Sequence, residues 1–149
     1  KLDEEALAYY IESPEGPDQI RYWMGSAMDA LSLSNDLFIP ANFYALLKAQ
    51  DPATWESLQN RFSSKKDSRC AGIDVTFTAP KDVSILYAMT KGDEAMRTKI
   101  LKAHDEAVGV AMKYLDDNWS YARSGKGGTT PIKGKGVSAA FRHTVNRNV

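Results

Sequence analysis

The residues able to do chemistry are few. In DVTFTAPKDVS (74–84), Asp74 heads a run in which Val75 and Phe77 alternate with Thr76 and Thr78, the pattern of a half-buried strand. Pro80 suits a first helical turn and pushes Ala79 towards extended geometry, so strand is expected to pass into helix almost without a loop. A carboxylate at the head of that strand caps the strand end, pairs with Arg69, or serves a reacting centre. AYY (8–10) sets two phenols side by side on an expected helix. Neighbouring helical residues point about 100° apart, so Tyr9 and Tyr10 cannot both face one centre. His104 falls on the apolar side of an expected helix near Ile100 and Val108, as a core or boundary histidine would, and His143 falls in an expected strand. Cys70 stands alone, which excludes a disulfide framework and suits a reducing cytoplasm.

Charge supplies the second signal. The chain is formally neutral, yet residues 1–63 hold ten acidic and four basic side chains. Residues 118–149 hold Arg123, Lys126, Lys133, Lys135, Arg142 and Arg147 and no carboxylate. That asymmetry implies either an anionic partner for the C-terminal part or a basic, solvated loop. The glycine-rich stretch SGKGGTTPIKGKG (124–136) is no Walker motif, because no Gly-Lys followed by Ser or Thr stands at the required spacing. It reads as a long basic hairpin loop that either touches a phosphate backbone or stays a solvated connection.

The elements that must position these groups follow from periodicity. A length of 149 residues fits one domain, and no apolar run approaches the roughly 20 residues of a membrane span. Helices are expected over Leu2–Ile11, Ile20–Leu31, from Pro40 through Leu47, and over Pro52–Phe62. SPEGPD (13–18) breaks the first, and SSKKDSR (63–69) is a polar loop. A strand over Ile73–Thr78 leads to a helix ending near Met89. A long helix runs from about Asp93 to Asp117, with Met96, Ile100, Ala103, Ala107, Ala111 and Leu115 along one side. Strands are expected over Trp119–Arg123 and Val137–His143. Trp119 and Tyr121 either stack bases or fill the core.

These residues together resemble a family. GIDVTFTAPKDVSIL (72–86) is similar to the signature of MobF-class conjugative relaxases of the TraI/TrwC type. AYY (8–10) resembles the tyrosine pair near the start of such relaxases. WMGSAMDALSLS (23–34) followed by FYALL (43–47), and AHDEAV (103–108) followed by AFRHTVNR (140–147), resemble further stretches in the family's order. The resemblance covers nearly the whole chain. It implies an α+β fold: an antiparallel β-sheet with packed helices, the palm of HUH endonucleases. Residues 1–149 then form a single, incomplete relaxase domain, with the catalytic tyrosine helix at 2–11, a helical segment at 19–62, and the sheet and long helix at 72–149.

The resemblance also implies chemistry. Tyr9, first of its pair, would attack a scissile phosphate and keep the 5′ end; Tyr10 belongs to the same site. Tyrosine's ordinary pKa near 10 calls for help, and Asp74 would take its proton or orient a metal-ligating histidine. His143 aligns with the first of three metal-binding histidines, and the other two would follow beyond Val149. A divalent metal, Mg or Mn, is therefore expected for the intact domain, and little metal binding or cleavage for these residues alone. Lys81 either approaches DNA phosphate or stays solvated, whereas Arg142 and Arg147 flank His143 as backbone contacts. A second tyrosine pair, common in relatives, has no counterpart here except Tyr22, which belongs to the Trp23 segment. The expected partners are single-stranded DNA at a transfer origin, accessory relaxosome proteins, and a helicase domain in the longer chain. Two other readings compete: a non-enzymatic single-strand DNA-binding or assembly module of the same fold, and a rolling-circle replication initiator.

Overall fold

The computed structural model describes residues 21–35, 37–58 and 71–142. Tyr9, Tyr10, His143 and Arg147 lie outside the described residues, as do the expected helix over 2–11 and Arg69. The chain divides into two compact units: residues 1–73 with 135–149, and residues 74–134. The fold class is α+β.

In the first unit, β1 (Arg21–Met24) pairs antiparallel with β4 (Ser138–Phe141), Trp23 opposite Ala139. The helix expected over 20–31 is absent. Tyr22 and Trp23 favour a strand, and Gly25 takes a φ of +113°, which ends it. A Cβ on Gly25 would lie 2.9 Å from the Gly136 carbonyl carbon, so the two strands leave their ladder at a close backbone approach. Only a short 3-10 turn, Asp29–Leu31, remains helical. Helix α1 (Pro40–Leu47) forms as expected, with proline in its first turn and Ala45 fully buried. The core is aromatic. Trp23, 2% exposed, stacks on Phe38 at 5.0 Å between ring centroids, and Phe141 meets Phe38 and Phe43 edge-on at 5.4 and 5.5 Å. Such pairs add about 0.5–1.5 kcal/mol each beyond the area they bury.

No helix starts at Pro52. The Asp51 carboxylate instead accepts from the amides of Ala53 (2.8 Å) and Thr54 (3.1 Å), closing a turn that competes with the helix. Gln50 and Ser57 bridge across it. Residues 59–62 of the expected helix lie outside the described residues.

The second unit holds α2 (Lys81–Met89), α3 (Glu94–Trp119) and a ribbon of β2 (Tyr121–Ser124) and β3 (Thr130–Lys133). Thr90 ends α2 by donating its hydroxyl to the Tyr87 carbonyl at 2.7 Å, and Gly92 turns the chain with φ +96°. Asp93 then caps α3: its carboxylate accepts from the Met96 amide at 3.0 Å. The Arg97 guanidinium lies 4.8 Å from the Tyr87 ring centroid and ties the two helices.

Residues 71–80 do not form the expected strand. Ile73 is 85% exposed and Val75 about half, and no described strand offers them a ladder. An alternating pattern marks a possible strand; only a partner makes one. The loop expected over 124–136 is also revised. Gly125, Gly127 and Gly128 all take positive φ and close a tight turn, with the Gly128 amide donating to the Gly125 carbonyl at 3.0 Å. That leaves Thr130–Lys133 free to return as β3 against β2, so β4 pairs with β1 and not with β2.

Candidate functional site

Asp74 opens the second unit on an exposed segment seven residues before α2. It therefore stands ahead of a helix start, as its motif requires, but does not sit at the head of a paired strand. Lys81 is the first residue of α2 and is exposed.

The ribbon gathers the cations. Its register sets Tyr121 opposite Lys133 and Arg123 opposite Pro131, so these four share one face. Arg123 lies along the turn: a Cβ on Gly128 would sit 3.4 Å from the Arg123 Cβ. Lys126 occupies the turn itself. Lys133 is engaged. Its ammonium donates to the carbonyl of Asp116 at 3.0 Å and to that of Asp117, at the C-terminal end of α3. It also lies 5.3 Å from the centre of the Tyr121 ring. A cation is favoured there because the last helical carbonyls lack intrahelical partners and carry partial negative charge. Sequence spacing gives no hint of this cap, since Lys133 stands 17 residues after Asp116. Trp119 and Tyr121 are 74% and 60% exposed, which removes the core alternative for both.

The last turns of α3 are wired locally. Lys113 donates to the Asp117 carboxylate at 2.7 Å, and the Ser120 hydroxyl to that of Asp116 at 2.6 Å. The Asp117 hydrogen bond and charge, with a smaller push from Asp116, hold the Lys113 ammonium above its ordinary pKa.

Lys135 and Arg142 belong to the first unit. Lys135 is exposed, whereas Arg142 is half-buried and its Nε is shut away from solvent. His104 is half-buried on α3, with Nδ1 3.7 Å from the Asp105 carboxylate. It is the boundary histidine its position on the apolar side implies. Among the described residues no group of three or more His, Cys, Asp or Glu is placed to hold a metal ion. Among the same residues, no helix is long and apolar enough to cross a membrane.

The described residues thus combine an α+β fold with an exposed ribbon carrying Arg123, Lys126 and Lys133. The family model described as TrwC relaxase matches residues 1–149, the whole chain, and the chain belongs to that family. The family is one of relaxases, DNA-binding proteins of conjugation. No curated protein and no solved structure matches the chain.

Proposed function

We propose that the protein cuts and rejoins one DNA strand at a transfer origin, with Tyr9 as nucleophile. The phenolic oxygen of Tyr9 attacks the scissile phosphorus, the P–O3′ bond breaks, and the 3′ oxygen leaves as a hydroxyl. The 5′ phosphate stays on the tyrosine. The phenol gives up one proton and the departing 3′ oxygen takes one up from solvent; Asp74 either receives the phenol's proton or orients His143, the proton then passing to solvent. Tyr10 assists the site without attacking. Lys81, Arg123, Lys126, Lys135, Arg142 and Arg147 contact the DNA backbone, and Lys133 belongs to the same basic ribbon. Family membership over all 149 residues carries this reading.

The test is a covalent-adduct assay with the full-length protein and single-stranded oligonucleotides. Tyr9→Phe should abolish the protein–DNA adduct, while Tyr10→Phe should keep most of it. A normal adduct on the Tyr9→Phe protein would remove Tyr9 as nucleophile. A second reading, a non-enzymatic module that only binds single strands, draws support from the exposed basic ribbon, which needs no nucleophile. It requires DNA binding with no adduct from the wild-type protein.

A further inference from the structure

The two faces of the β2–β3 ribbon differ in chemistry. Ala122 with Ile132 and Ser124 with Thr130 make one face; Tyr121 with Lys133 and Arg123 with Pro131 make the other. The second face joins an exposed aromatic ring to cations, and residues 118–134 contain no carboxylate side chain. An exposed ring beside a guanidinium suits a base with its neighbouring phosphate. In a duplex the bases are already stacked on one another, so only an unpaired base is free to take the ring.

Lys133 breaks the symmetry among the cations. Its donors point into the Asp116 and Asp117 carbonyls, and its ammonium sits over Tyr121. A lysine held in this way fixes the ribbon and the ring to the helix end, leaving its charge committed. Among the described residues, it is Lys133 that donates to the end of α3, and Arg123 and Lys126 make no such bond.

We infer that Tyr121 is a stacking site for a base of single-stranded DNA, flanked by phosphate contacts from Arg123 and Lys126, with Lys133 as a positioning residue. This rests on the DNA-binding reading above and gives that reading a face, a ring and a division of labour among its cations.

The experiment measures binding of the 149-residue chain to a labelled 12-nucleotide oligothymidylate and to an abasic strand of equal length, across a salt series. Tyr121→Ala should weaken binding to oligothymidylate by about 5- to 150-fold, the range for losing one base–aromatic stack, and leave the abasic strand unaffected. Tyr121→Phe, which keeps the ring and the fold, should bind like wild type. Lys126→Gln should flatten the log–log salt slope by about 0.7 on both strands, as loss of one phosphate contact does. Lys133→Gln should weaken oligothymidylate binding without changing the slope, and Lys133→Arg should restore it. Equal losses on both strands for Tyr121→Ala, or no loss, would overturn the stacking site. Lys133→Gln flattening the slope as Lys126→Gln does, or changing nothing, would overturn the positioning role. If wild type fails to bind either strand, or Lys126→Gln leaves affinity and slope intact, the ribbon's DNA-binding reading itself fails, a result distinct from the other two.

Discussion

Lys113 shows how a single charge is tuned by its neighbours. Its hydrogen bond to Asp117 favours the ammonium, and the raised pKa makes the bridge a stabilising contact wherever the lysine is charged. Because the folded value is raised, that contribution is complete below the ordinary lysine pKa of about 10.4 and is lost as pH climbs through the folded value. NMR titration of the Lys113 side chain should therefore give a higher midpoint in wild type than in Asp117→Asn. Identical midpoints would mean the bridge does not persist in solution. Spacing already exposes this pair, since residues four apart meet on a helix surface. Lys133 is the opposite case: nothing local in Thr130–Lys133 announces a helix cap, because β3 must first fold back against β2.

At the scale of elements, α1, α2, α3, β2 and β4 stood out in the sequence, whereas β1 and β3 did not, and among the described residues the helices expected over 20–31 and 52–62 do not form. Helices α1, α2 and α3 carry their own signals: Pro40, the Pro80–Lys81 start, the Asp93 cap and a long 3.6-residue stripe. Strands depend on partners that periodicity cannot name. RYWM (21–24) has helical spacing and becomes a strand only through its ladder with residues 138–141, and 73–78 has the right pattern but no described partner. The Asp93 cap offers a direct test. Asp93→Ala should lower stability by about 1 kcal/mol in urea unfolding, whereas Asp93→Asn, an equally good acceptor for the Met96 amide, should stay within a few tenths. Equal effects of both changes would show that charge, not the cap bond, matters.

For the molecule as a whole, the governing fact is how far apart in sequence the first unit's partners lie. Residues 25–137 separate the paired ends Met24 and Ser138, so β1 and β4 meet only after a long chain closure. Helices α2 and α3 are local and need no such closure. In a Trp55→Phe, Trp119→Phe background, the Trp23 fluorescence change on refolding should lag behind the far-UV circular dichroism change. Coincident single phases would show that the ladder forms with the helices. The same separation explains what was legible in the candidate site. The motif around Asp74 and the basic residues could be read directly, whereas the Tyr121–Lys133 face and the aromatic core around Trp23 exist only after distant segments pair.

The register of that long-range ladder has a genetic consequence. Trp23 faces the aromatic core only while Ala139 stands opposite it, and side chains on a strand alternate sides with every residue. Loss of one codon anywhere in Ser138–Phe141 would turn Phe141 away from Phe38 and Phe43, although the lesion lies more than a hundred codons from Trp23. A deletion in β4 is thus a core lesion at long range, whichever of its residues is lost.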